Sequence, residues 1–330
     1  MTNDPRGAGL PPAAEARMAE IRGSGTWGSA LSADEFTAIR STGFEPVGQV
    51  LGAAVYNLGY TGGYGCAGAW TGFYGGPSSF GPNRAVTQVS SRGGMTSFAP
   101  LVQALYDARH AAINRMIAEC AALGGHGVVG VNLSIGRFPA GGLEFKAIGT
   151  AVRAPGAPLP RTPFTSDLSG QDFAKLIMRG WVPAGLVLGI SVAARHDDWL
   201  TVGQTRWGAG NAEVAGYTEL VHEARHDARV QLERDVRRLG AQGVVIADMQ
   251  MRVSERECPM QEGRRDHIVE ATIIGTSIAR FSTGQAGTGA VGAGRRAGAG
   301  RPGHEREPSL PVLSLDPQRR QAARTRIGRS

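Results

Sequence analysis

Apolar residues recur at helical spacing along residues 216–239: Tyr217, Leu220, Val221, Ala224, Ala228, Leu232, Val236 and Leu239. This rhythm predicts a long amphipathic helix with one buried stripe. Residues 98–123 predict a second long helix, which carries a further apolar side made of Tyr106, Ile113, Ile117 and Ala121. The later helix has His222, Arg229, Glu233 and Arg237 at those places. A helix apolar on both sides is covered on both sides. The earlier helix is therefore expected to lie against another domain or subunit, and the later one to face solvent. Elsewhere the period drops to two. Val245, Ala247, Met249, Met251 and Val253 alternate with Asp248, Gln250 and Arg252, and Val129, Val131, Leu133 and Ile135 alternate with Asn132 and Ser134. These runs predict strands with one face inward.

The chain repeats itself. Residues 31–52, "LSADEFTAIRSTGFEPVGQVLG", and 168–189, "LSGQDFAKLIMRGWVPAGLVLG", share nine of 22 positions at an offset of 137. "LGGHGVVGV" (123–131) matches "LGAQGVVIA" (239–247) at an offset of 116, and "IGTAV" (148–152) matches "IGTSI" (274–278). Each copy begins with a short helix behind a Ser cap, Ser32 with Glu35 and Ser169 with Asp172, and stops it at Gly43 or Gly180. A strand, the long helix and two more strands follow. The fold class expected is α+β: two tandem two-layer β-α-β-β units, each a small antiparallel sheet backed by one long helix, with a short leading helix. The expected organisation is a disordered N-terminal segment (1–30), a first domain (31–153) with a Gly/aromatic-rich insertion at about 59–94, a Pro-rich linker (154–167), a second domain (168–282) and a disordered Gly/Arg-rich tail (283–330).

The pattern G-x-V-L-G, a helix with Ala-Arg, L-G-[AG]-x-G-V-V and a strand ending in I-G-T resembles the YbjQ-like domain, a family labelled heavy-metal-binding. The "LS-x-x-x-F…G-[FW]-x-P-x-G" lead-in resembles its actinobacterial branch. The resemblance spans about 31–153 and 168–280. It implies a small antiparallel sheet backed by a helix and ring-forming homo-oligomers, and it implies no catalytic residue.

Charge narrows the partners. The net charge is +7, but residues 283–330 hold nine Arg against three acids, which leaves +1 for residues 1–282. Nucleic acid is therefore expected at the tail only, if anywhere. Cys66, Cys120 and Cys258 form no closed disulfide set. The N-terminus lacks the apolar core of a signal peptide, and no apolar run reaches membrane-spanning length. A cytoplasmic location is expected and no membrane partner.

One string bears on chemistry. Residues 222–226, His-Glu-Ala-Arg-His, match the H-E-x-x-H pattern of zinc peptidases. His222 and His226 fall off the buried stripe, Arg229 and Arg237 share their side, and the other copy reads Tyr106-Asp107-Ala108-Arg109-His110. The string stands as a catalytic zinc site, a surface metal contact, or solvated or interface histidines. Arg109 and Arg225 occupy one place in both copies and, with His110, are candidate ligand or interface residues. Glu119 and Asp235 correspond on the stripe; either they overhang the sheet into water or they have buried partners, and the overhang is the reading preferred. Gly48, Gly52, Gly185 and Gly189, inside strands, predict close backbone approach or bulges. The function expected is a non-enzymatic oligomeric scaffold or binding protein, holding heavy-metal ions or a small ligand at domain interfaces. No cofactor is assigned beyond a divalent transition metal as a candidate. The rivals are a zinc-dependent hydrolase and a nucleic-acid or partner adaptor acting through the tail.

Overall fold

The computed structural model describes residues 10–25, 28–57, 87–92, 98–138, 142–208, 210–258, 263, 265–280 and 312–314. Most of the Gly/aromatic insertion, Cys66 and all but 312–314 of the tail lie outside the described residues. Among the described residues no helix is long and apolar enough to cross a membrane.

Helix α1 (Pro12–Ser24) precedes the repeated units. The first unit contains α2 (Ala33–Ser41), β1 (Glu45–Asn57), β2 (Gln88–Val89), α3 (Ala99–Ala122), β3 (Gly127–Arg137), β4 (Gly142–Arg153) and β5 (Phe164–Thr165). The second contains α4 (Gly170–Met178), β6 (Trp181–His196), α5 (Trp199–Thr205), α6 (Ala215–Arg238), β7 (Gly243–Glu257) and β8 (Arg265–Arg280), with β9 (Val312–Ser314) beyond. The sheet orders are β1-β4-β3-β5 and β2-β6-β8-β7-β9. Within each, the three long strands run antiparallel in the same order, and the fold is α+β as read from the sequence. The Ser32 cap forms a full capping box with Glu35, and Ser169 accepts from the Asp172 amide.

Side-chain parity on β6 stacks the layers. Leu188 and Ile190 join the core of α3 together with Val50 and Phe145, whereas Val187 and Ala193 join the core of α6. The order is first sheet, α3, second sheet, α6. Helix α3 is therefore covered on both sides, as its double apolar face requires. Ile113 and Ile117 are buried, each worth about 1.5–3 kcal/mol relative to exposure. The outer positions His222, Arg229 and Arg237 of α6 are exposed. Helices α2 and α4 pack together through Ile39 and Phe173, over Val129, Val152, Val245 and Ile278.

Two expectations are corrected. Residues 1–30 are not wholly unstructured: α1 forms because Met18 and Ala14 are buried and Arg17 pairs with Glu119. Within the linker, Phe164 and Thr165 add a parallel strand to β3. Val129 does not share a face with Val131, nor Val245 with Met249. Register shifts at Val129/Asn132 and Ile246/Asp248 reverse the alternation. Val128 and Val244 point to the long helices, while Val129 and Val245 point to the short ones. In the first unit Gly130, with φ +68°, supplies the backbone of the bulge.

Candidate functional site

His222 and His226 sit one turn apart on the exposed face of α6. Among the described residues no third donor converges with them, and a catalytic zinc needs three protein ligands in a cleft. Arg225 is exposed as well, whereas its counterpart Arg109 is 6% exposed and lies over the Phe145 ring. Burial lowers the pKa of Arg109, opposed by the charge of Glu270. Arg109 lines a cavity of about 270 Å³ between the two sheets, with Phe145, Arg252 and Ile274. His110 is half-buried beside Tyr106, and burial lowers its pKa. The repeat thus places one Arg-His pair at the seam between units and the other in solvent.

The expected overhang of Glu119 and Asp235 is overturned. Glu119 is 2% exposed, accepts from the Leu51 amide at 2.7 Å and pairs with Arg17. Asp235 is half-buried and accepts from the equivalent Leu188 amide at 3.3 Å. Each carboxylate caps an outward N–H of the strand beneath its helix, which a helical wheel cannot reveal. On β6 this closure is repeated. Alternate N–H groups of Leu186, Leu188, Ile190 and Val192 donate to Thr165, Asp235, Tyr106 and Ser90. The Tyr106 hydroxyl reaches across from α3, and burial pushes its pKa up to about 12. Cys120 is fully buried, its pKa pushed up to about 12 by burial, so it stays an apolar thiol.

The polar concentration that sequence reading missed lies at one end of the second sheet. The register pairs His196 with Asp266 and Arg195 with His267. Strand parity therefore sends His196 and Asp266 to one face. Their side chains meet at 2.9 Å, Nδ1 to Oδ1. Arg256 on β7 donates to the other carboxylate oxygen, Oδ2, at 3.2 Å. Cys258, two residues beyond Arg256, completes a group whose three donor atoms lie within 4.8 Å of one another. On the opposite face, Asp197 meets the Tyr217 hydroxyl at 3.1 Å and His267 Nε2 at 3.2 Å, and Tyr217 and His267 are 2.7 Å apart. Burial first, and then the Asp197 charge, raise the pKa of Tyr217. These groups border a cavity of about 580 Å³ with Val202, Leu220, Val253 and Val269. The signal was present in "ARHDD", "REC" and "RDH", but it required the strand register, since His196 and Asp266 stand 70 residues apart.

Residues 90–155 match the family model described as "Putative heavy-metal-binding", the YbjQ model. The chain is also similar to the encapsulin nanocompartment protein Rv1762c of Mycobacterium tuberculosis, at 31% identity over 288 residues. That alignment covers 84% of this chain and 94% of the relative. The match runs through both repeated units, so the chain belongs to the family of the encapsulin nanocompartment protein Rv1762c.

Proposed function

We propose that this chain is a non-enzymatic scaffold that assembles with copies of itself and binds a heavy-metal ion. The observation that carries the assembly reading is the double burial of α3. The first unit leaves a helix face that the sheet of the second unit covers, here within one chain. Strand β1 also has a strand partner on one side only among the described residues; its other edge is capped at the Leu51 N–H by Glu119 and at the Ala53 carbonyl by Arg115 and is otherwise open to further pairing. The name of the relative, a nanocompartment protein, agrees with a role in assembly. Arg109 and His110 serve the seam between the units, and the cytoplasm is the expected compartment. Light scattering on the size-separated protein at micromolar concentration tests this. One discrete mass above that of a single chain is expected, and a monomer would refute the reading.

A second metal reading is a surface contact at His222 and His226, favoured by their exposure one turn apart on α6. Zinc calorimetry on the His222→Ala/His226→Ala variant decides it: unchanged binding removes that contact.

A further inference from the structure

We infer that His196, Cys258 and Asp266 form a three-ligand site for a divalent transition ion of the zinc class. This gives a place to the metal-binding part of the proposed function and is independent of assembly. The stretch that matches the heavy-metal-binding family model, 90–155, contributes none of the three residues.

The donors come from three neighbouring strands. His196 ends β6, Asp266 lies at the start of β8, and Cys258 follows the last residue of β7. In the order β6-β8-β7 these ends are side by side. All three are buried, at 7%, 6% and 0% exposure for His196, Cys258 and Asp266. An imidazole, a thiol and a carboxylate make a donor set that suits zinc and its relatives and is unsuited to calcium or magnesium, which take oxygen ligands.

The geometry needs little change. Zinc bonds of about 2.0–2.3 Å set tetrahedral ligand atoms roughly 3.3–3.6 Å apart. The His196–Asp266 pair, at 2.9 Å, opens by a few tenths of an ångström. The thiol, within 4.8 Å of both, closes by no more than about 1.3 Å. As the metal bonds form, the Cys258 proton leaves to solvent and the His196 Nδ1 proton that faces Asp266 is replaced by one on Nε2, so that the neutral imidazole ligates through Nδ1. Thiolate and carboxylate then oppose the two charges of the ion, which a buried ion requires. Arg256 holds the second oxygen of Asp266 and orients the carboxylate, the kind of outer partner that metal ligands have. The competing explanation is a buried His-Asp-Arg network with a bystander thiol, and the two differ in whether an ion binds through sulfur.

The test is titration of the chelator-treated full chain with Co²⁺, read by absorption. One Co²⁺ per chain is expected, with the near-ultraviolet band of thiolate-to-cobalt charge transfer. Cys258→Ser should abolish the band and weaken binding at least ~100-fold, since even outer-partner losses cost about 10–100-fold. Should Cys258→Ser fail to fold, His196→Gln serves, with weakened binding of the same order. His222→Ala/His226→Ala should keep both band and stoichiometry. The inference is overturned if the wild-type chain shows no thiolate band, if the band survives Cys258→Ser, or if the surface pair alone controls binding. Subunit mass, measured on the same samples, reports separately on the scaffold reading.

Discussion

Gly52 and Gly189 hold equivalent places in β1 and β6, and each lies against the backbone of its long helix. A methyl group added at Gly52 overlaps the Ala112 carbonyl oxygen and stands 2.6 Å from the Met116 nitrogen. Ordinary contact begins near 3.4 Å, so α3 has to retreat by at least about 0.8 Å in Gly52→Ala (3.4 minus 2.6). At Gly189 the methyl overlaps the Ala228 carbonyl oxygen and stands 3.0 Å from the Leu232 β-carbon. Overpacking of this kind costs about 1–3 kcal/mol and occasionally more, offset by roughly 0.4–1 kcal/mol from the stiffer unfolded chain. The helices differ in what resists them. Helix α6 has solvent behind it and can lift, whereas α3 is backed by the second sheet through Leu188 and Ile190. Gly189→Ala is therefore expected to cost about 1–2 kcal/mol, and Gly52→Ala about 3 kcal/mol or more. Thermal unfolding followed by circular dichroism should show Tm falling by about 2–8 °C for Gly189→Ala and by about 6–12 °C for Gly52→Ala. Gly23→Ala, on α1 with open space around it, is the control and should be neutral or slightly stabilising. An unchanged Tm in Gly52→Ala, or a larger loss in Gly189→Ala, would refute the stacking of α3 between two sheets.

The remaining expectations concern the side chains that close strand edges and the proposed ligands. Tyr106→Phe removes the acceptor of the Ile190 amide and should cost about 1–3 kcal/mol in chemical denaturation; no loss would mean that the seam is wet. Burial raises the pKa of Glu119 above its ordinary 4.5. The folded state then holds that proton more tightly than the unfolded chain. The Glu119 contribution is thus fully present below pH 4.5 and is lost as pH rises through the raised value. Denaturation of the wild type and of Glu119→Gln across that window should show the stability of the wild type falling relative to the variant. A parallel pair of curves would contradict the burial of this carboxylate. Arg256→Gln, which removes the charged partner from Asp266, should weaken Co²⁺ binding about 10–100-fold while keeping the thiolate band. Equal affinity would deny Arg256 an orienting role.

What the sequence made legible was what repeats or is periodic. The caps and terminating glycines marked the short helices, and the second apolar side of α3 announced its second sheet. What stayed hidden depends on register. A bulge at Gly130 reversed the strand phase, so Val129 was read onto the wrong face. Glu119 and Asp235 looked like stripe residues that overhang, because their amide partners on Leu51 and Leu188 belong to another element. His196, Cys258 and Asp266 carry no spacing motif. They meet only because β6, β8 and β7 end side by side. The H-E-x-x-H string shows the reverse case. It has the spacing, but its helix turns His222 and His226 to solvent.

Native mass spectrometry of the full chain, purified without chelator or affinity metal, is the most direct test of the scaffold. One oligomer of defined subunit number is the result expected, and a single-chain mass at micromolar concentration would contradict it.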